Sequence, residues 1–356
     1  MFRSLEIARF CHKIIPVWRP GYLKIYSRAL RLCRQRRFEP YEAYRLGLFQ
    51  PTFEDGNLDN FTSRKIATKL EKAVNPESWE LLLKDKGLFY RYLMAQGLPI
   101  PRLYGIFFQK VPGWSPDDSI LAGRGDWEKL FATIPGDEFV IKPCRGAFGD
   151  GVKIFARASG GFRDTQGNTF KAGGIYDLMR SDTGFEAFII QERLRNHPEI
   201  CRISPSEFLQ TVRVNTFIDR KGVCYILFAF FKLIGGNNIT DNFGDGRKGN
   251  MISIINTEQG TLDPAFVTAP AGKGTTYFNK HPQTGLQFRE FHIPRWPEVI
   301  ALTKEAAFRF LPLRAIGWDI AVTPTDIKIV EGNIWWNPLN RRRWKDIIEA
   351  ELPYDF

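Results

Sequence analysis

No run of ~18 unbroken apolar residues occurs in the 356-residue sequence, so no segment reads as a membrane-spanning helix. There is no Cys-x-x-Cys pair. The five cysteines, at 11, 33, 144, 201 and 224, are odd in number and scattered. That argues against a disulfide framework and for a reduced, cytosolic setting. Four scattered histidines without Cys/His spacing argue against a zinc site. No Gly-x-Ser-x-Gly elbow is present. The N-terminus carries scattered arginines and lacks the n-region, apolar core and cleavage site of a signal peptide. Acidic residues are scarce at one end. Residues 1–40 hold ten Lys/Arg against Glu6 and Glu39, which is +8 of the chain's +11.

What is present reads as an ordinary globular protein, 44% hydrophobic and 25% charged, long enough for two or three cored units. In "YLKIYSRALRLCRQRR" apolar residues stand at 22, 23, 26, 30 and 32, and basic ones at 24, 28, 31 and 34. The spacing predicts a basic amphipathic helix. Three readings stay open: contact with an anionic membrane face, contact with a polyanion, or a basic surface helix docked on the body. No nucleic-acid module accompanies the charge.

Downstream, 75–101 reads as one or two helices, with Asn75 as N-cap and Gly97 and Pro99 as the stop. Strands are expected at 102–108, 137–143, 152–156, within 185–194, at 210–219, 223–234 and 250–256. Helices are expected at 125–134 and 294–311. "AIGWDIAVT" and "DIKIVEGN" close as a β-hairpin. Strands neighbour strands, which predicts α+β with antiparallel pairs.

Taking Pro324, Thr325 and Asp326 as the hairpin loop, Val322 faces Lys328 and Asp319 faces Glu331. Strand period then sets Asp319, Glu331 and Asn333 on one face. Opposed carboxylates repel. Either water solvates them, or a cation sits between them. Two carboxylates and an amide oxygen suit Mg²⁺. In "EFVIKPCRGAFGDGVKIF", Lys142 ends an apolar strand before a turn bearing Gly146, Gly149 and Gly151. Such a turn either covers an anion with backbone N–H groups or is a plain hairpin loop. In "FIIQERLRNHPE", Gln191, Glu192 and Glu199 offer groups to an adenine edge and ribose hydroxyls, or form a surface loop. In "GGNNITDNFGDGRKGN", Asn242, Arg247 and Lys248 contact a carboxylate or sugar hydroxyls, or sit in a loop without chemistry.

In order and spacing these pieces resemble the ATP-grasp superfamily. "DKGLFYRYLMAQGLPIP" resembles its opening helix. "NHPEICRISPSEFLQTVRVNTF" and "TDNFGDG" resemble its sugar-transfer-associated branch, over roughly 60–340. The resemblance implies an ATP-grasp fold in which two α+β subdomains clamp ATP, behind a basic helical extension. The divisions would be 1–60, 61–195 and 196–356. It implies an ATP-dependent carboxylate–amine ligase working through an acyl phosphate on a sugar, polysaccharide precursor or amino acid. The alternatives are a hydroxyl phosphotransferase and a non-catalytic nucleotide binder. ATP contacts would be Lys142, the 146–151 turn, the Gln191–Leu194 hinge with Glu192, Glu199, and Lys86 or Arg91. His197 would neighbour the hinge or ribose. Arg213 would meet the transferring phosphoryl group, and with Asn242 and Lys248 the substrate. Asp319, Glu331 and Asn333 would hold Mg²⁺. The family's end motif is followed by small residues. Here Trp335 and Trp336 follow, either walling an acceptor or packing the core.

Overall fold

A computed structural model describes residues 2–18, 22–50, 53–54, 58, 61–244, 249–268, 274–336 and 342–352. Three helices open the chain: α1 (Phe2–Trp18), α2 (Tyr22–Gln35) and α3 (Pro40–Arg45). They enclose a core of their own. Ile7, Cys11 and Ile14 recur at helical spacing on α1, and Ile25, Ala29, Leu32 and Cys33 on α2; Phe38, Ala43, Leu48 and Phe49 close it. The predicted basic helix is α2. Its buried stripe faces α1 and α3, while Leu23 stands 79% exposed beside Lys24. Gly47, at φ +73°, lets the unit touch the body. A Cβ there would lie 2.8 Å from the Gly274 Cα.

The helices α4 (Arg64–Val74), α5 (Leu81–Lys84) and α6 (Lys86–Ala95) follow. Asn75 was expected to cap a following helix. It instead ends α4, and its buried amide holds the backbone of 314–315, accepting from Arg314 N (2.8 Å) and Ala315 N (2.9 Å). A buried carboxamide that can satisfy three backbone groups outweighs a local cap.

Two antiparallel sheets make the body. The first runs β3-β2-β1-β8-β4-β5-β6-β7. Its strands are β1 (Leu103–Phe108), β2 (Gly113–Trp114), β3 (Ile120–Leu121), β4 (Glu138–Pro143), β5 (Lys153–Ala158), β6 (Gly161–Asp164), β7 (Thr169–Phe170) and β8 (Ala187–Glu192). Helices α7 (Arg124–Thr133) and α8 (Ala172–Arg180) share an aromatic core with it, where Phe131 and Phe139 stack at 5.4 Å. After α9 (Pro198–Ile203) comes the second sheet, ordered β13-β12-β11-β10-β9-β14-β15. It comprises β9 (Thr211–Ile218), β10 (Cys224–Leu233), β11 (Met251–Ile255), β12 (Ala265–Thr268), β13 (Thr275–Phe278), β14 (Ala315–Val322) and β15 (Ile327–Asn333). Helix α10 (Trp296–Arg309) covers the face carrying Val214, Ile316, Trp318 and Ile320. The other face ends in Phe217, Ala315 and Trp336, under α4 and α11 (Arg342–Glu349). Helices α4–α6 thus pack on the second sheet although they precede the first in sequence.

The hairpin register holds where it matters and shifts at the turn. Asp319 faces Glu331, and Gly317 faces Asn333. Val322, however, faces Ile327 rather than Lys328. The loop has four residues, 323–326, closed by Thr323 N to Asp326 O at 2.9 Å. A bulge between Asp319 and Ile320 absorbs the difference by leaving Val330 as the extra residue. Its carbonyl accepts from the Tyr90 hydroxyl at 3.0 Å.

Candidate functional site

Arg213, Asp319 and Glu331 are register partners across β9, β14 and β15, so one face carries all three. Arg213 grips Asp319 as a fork, Nε to Oδ1 at 2.6 Å and Nη2 to Oδ2 at 2.8 Å. Lys232 lies 3.1 Å from the same Oδ2 and 3.3 Å from Asp241 Oδ1. Asp241 also accepts from Thr211 N at 2.8 Å. Burial alone would raise the Asp319 pKa. Arg213 and Lys232 outweigh it and hold the carboxyl below the usual range. One lone pair, on Oδ1, is left for any other partner. Lys232 and Asp241 were not among the expected residues. The available signal was a lone lysine interrupting the apolar run "FAFFKLI".

Glu331 is the more open carboxylate, its side chain one-third exposed. Lys86 Nζ sits 2.9 Å from its Oε1 and donates to Gly146 O at 3.1 Å. Arg91, the other expectation for this position, lies over the Trp114 ring at 4.7 Å instead. Lys142, on β4, joins from the first sheet. Burial pulls its pKa down to about 8; Glu331 opposes that, and Lys86 adds to it. Asn333 donates from Nδ2 to Gly317 O at 3.4 Å, which leaves its side-chain oxygen as an acceptor.

Both glycines in this row are required by space. A Cβ on Gly332 would meet Leu83 at 2.6 Å and Phe89 at 2.8 Å. Glu331 and Asn333 therefore flank a position where α5 and α6 press on the back of the strand. A Cβ on Gly317 would meet Asn215 Oδ1 at 2.7 Å. That oxygen is buried without a hydrogen-bond partner among the described residues.

The glycine turn is folded over toward this row. Phe148, Gly149 and Gly151 all have positive φ, and Phe148 points its ring into solvent at 72% exposure. A Cβ on Gly149 would lie 2.8 Å from Thr240, and Asn242 Nδ2 donates to Phe148 O at 3.1 Å. Buried Asn250 ties the facing loop together, donating to Thr240 O at 2.9 Å and Asn242 O at 2.7 Å. Residues 147–150 and 237–240 line a cleft of about 620 Å³. Arg247 and Lys248 lie outside the described residues.

At the hinge, Gln191 is buried with Oε1 unpartnered among the described residues. Glu192 pairs with Lys328 at 2.7 Å and accepts from Arg102 N at 3.0 Å, linking the two sheets. Leu194 packs on Ala321 and Val330. His197 caps α9, its Nδ1 accepting from Glu199 N at 3.2 Å. Glu199 is exposed and pairs with Arg202 at 2.7 Å, apart from the cluster. No three His, Cys, Asp or Glu side chains form a metal cage among the described residues. The oxygens here that could meet a cation are those of Glu331, Asn333 and one lone pair of Asp319. Such a set fits Mg²⁺, which keeps water and phosphate oxygens in its sphere, better than a metal wanting an all-protein cage.

The sugar-transfer-associated ATP-grasp family model matches residues 65–340. The chain belongs to that family. Its fold is accordingly the ATP-grasp fold, carrying the three-helix extension at its N-terminus. Solved ATP-grasp-like structures align loosely. Biotin carboxylase from Campylobacter jejuni shows 12% identity and TM-score 0.43, covering 76% of this chain and 47% of that one. D-alanine–D-alanine ligase from Helicobacter pylori shows 10% identity and TM-score 0.39, covering 76% and 59%. A RimK-domain ATP-grasp protein from Sphaerobacter thermophilus shows 12% and 0.38, covering 78% and 70%. The chain spans about half the length of the solved chains first matched. These likenesses are too loose to carry a residue role across. No curated protein sequence matches the chain. Within the ATP-grasp chain the two tryptophans also find places. Trp336 packs on Trp344 at 5.0 Å and Phe228 at 5.4 Å, whereas the Trp335 ring lies between Lys72 and Lys84, each 5.6 Å away.

Proposed function

We propose that this ATP-grasp chain is an ATP-dependent carboxylate–amine ligase. The observation that carries the reading is the convergence of Lys86, Lys142, Arg213 and Lys232 on Asp319 and Glu331, beneath a glycine turn. Four cations around three carboxylates, Asp319, Glu331 and the Asp241 that shares Lys232, leave positive charge for phosphate oxygens. The carboxylates and Asn333 offer oxygens for Mg²⁺, which would neutralise charge developing at the γ-phosphate. Lys142 and Lys86 hold the phosphate chain, and N–H groups of 146–151 close over it. Gln191 and Glu192 face the base and ribose, with Leu194 as an apolar wall. Asp319 first serves as the counter-ion that keeps Arg213 and Lys232 aimed at the transferring group. The γ-phosphorus–oxygen bond to ADP breaks as a substrate carboxylate oxygen bonds to phosphorus. An amine then attacks the acyl carbon, phosphate leaves, and the amine's extra proton passes to solvent. Asn242 and Lys248 are assigned to the acceptor.

The substrate is a sugar-linked acid, a polysaccharide precursor or an amino acid. Mass spectrometry after incubation with ATP, Mg²⁺ and pooled uronic and amino acids tests this. An amide product with ADP supports ligation. A stable phosphorylated product would replace the ligase with a phosphotransferase, and absence of ATP turnover would leave only nucleotide binding. Glu331→Gln is expected to cut turnover about 10²-fold or more, on the scale of losing one electrostatic stabiliser of the transition state. Unchanged turnover would remove Glu331 from the metal seat.

We further assign residues 1–40 to an anionic membrane face on the cytoplasmic side. No described helix is long and apolar enough to cross a membrane. Leu5 and Leu23 are 57% and 79% exposed, among exposed Arg9, Lys13 and Lys24. Deleting 1–40 should abolish sedimentation with anionic vesicles while leaving neutral ones unaffected; equal sedimentation would sink the assignment.

A further inference from the structure

Glu71 is a carboxylic acid with no exposure at all, on α4, far from the charged row in sequence. Its Oε1 accepts from Trp336 N at 3.3 Å, across 265 residues. Among the described residues its Oε2 has no hydrogen-bond partner, and neither do the indole nitrogens of Trp336 and Trp344. Burial pushes its pKa up to about 9, so the group is held as the neutral acid. An apolar residue of similar shape would avoid the cost of an orphaned oxygen, about 1–3 kcal/mol. Packing alone does not account for an acid here. What the acid does is hold one backbone N–H.

That N–H lies three residues past Asn333. The strand exit is gripped from several sides at once. Trp336 abuts Gly317, the register partner of Asn333; a Cβ on Gly317 would stand 3.4 Å from the Trp336 Cβ. Lys72, next to Glu71, and Lys84, two residues before Lys86, flank the Trp335 ring. Asn333 is itself turned by its bond to Gly317 O. A shift of the 334–336 backbone would therefore move Asn333 against Gly317 and pull on Glu331.

Resting on the ligase reading above, we propose that Glu71 is a positioning residue for the metal seat: through Trp336 it sets where Glu331 and Asn333 present their oxygens. Nothing in the local sequence "KLEKAV" marks it, because the group it serves is brought to it only by the fold.

The test titrates Mg²⁺ into the full-length protein saturated with a non-hydrolysable ATP analogue, followed by calorimetry, alongside thermal unfolding. E71A should weaken apparent Mg²⁺ affinity about tenfold, the usual low end for loss of an outer-sphere support, with metal-free nucleotide binding unchanged. E71Q retains an acceptor oxygen for Trp336 N and should stay within about twofold of wild type. Should E71A fail to fold, E71D, which withdraws the oxygen by one methylene, is expected to show the same loss. Wild-type Mg²⁺ affinity in a folded but less thermostable E71A or E71D would overturn the proposal, as would an E71Q that is no better than E71A. If wild type itself binds no Mg²⁺–nucleotide, the ligase reading fails, which is a different result.

Discussion

The two faces of the second sheet are made by the same strands and behave oppositely. On one, Val212, Val214, Ile316, Trp318 and Ile320 pack under α10 as plain core. On the other, one residue along, Arg213, Asp319 and Glu331 line up as charge, and only further on do Phe217, Ala315 and Trp336 return to core. Every residue of β14 is buried, so both faces look alike by exposure. What differs is what the side chains meet: the apolar face of α10 on one side, and the Lys86, Lys142 and Lys232 side chains on the other. A buried carboxylate persists where fixed cations outweigh its desolvation, and nowhere else on this sheet.

Asp319→Asn gives the largest break in that contrast. It leaves Arg213 and Lys232 buried beside a neutral amide, at an expected cost of about 3–5 kcal/mol in urea unfolding. Ile320→Val, on the neighbouring position and opposite face, should cost about 1 kcal/mol and leave turnover alone. Equal costs would mean that the charged row is solvated rather than held.

The far end of the charged face gives a pH-dependent difference. Glu71 carries a proton in the folded chain up to about pH 9 but loses it near 4.5 when unfolded. A raised folded pKa adds stability that is complete below the unfolded value and fades as pH rises toward the folded one. Wild type should therefore lose up to about 1.4 kcal/mol per pH unit between those values relative to E71Q. E71Q should unfold later than wild type at pH 8 and show no such advantage at pH 4.5. A gap that does not change with pH would mean Glu71 is ionised in place.

The smallest effect sharpens the contrast from across the cleft. Lys142, with a pKa of about 8, is partly neutral near that pH. Docking a phosphate should raise it. Nucleotide binding at pH 8 should then take up on the order of half a proton, read by calorimetry in two buffers of different ionisation heat. At pH 6, where Lys142 is already charged, uptake should vanish. Equal uptake at both pH values would remove Lys142 from the phosphate site.

Much of the site was legible in the residues. The facing of Asp319 and Glu331 follows from strand period and hairpin closure, even though the loop is one residue longer than expected. The Val330 bulge cancels that error before it reaches Asp319. The glycine-bearing turn and the strand that ends in Lys142 were legible for the same local reason. Lys232, Asp241 and Lys328 were not. Each sits where local pattern gives core, loop or solvent, and each acquires its role from a partner on another strand. Asn75 shows the converse. It has a good capping sequence, but its amide is taken by backbone 239 and 240 residues away.

Sequence alone determined which residues share a face, because alternation and turn geometry act over a few residues. It also determined the family, because its motifs are contiguous. Tertiary structure decided which charge neutralises which, and that glycine must separate Glu331 from Asn333 because α5 and α6 press there. Coulombic pairing and close packing depend on what lies within a few ångströms, whatever the distance along the chain.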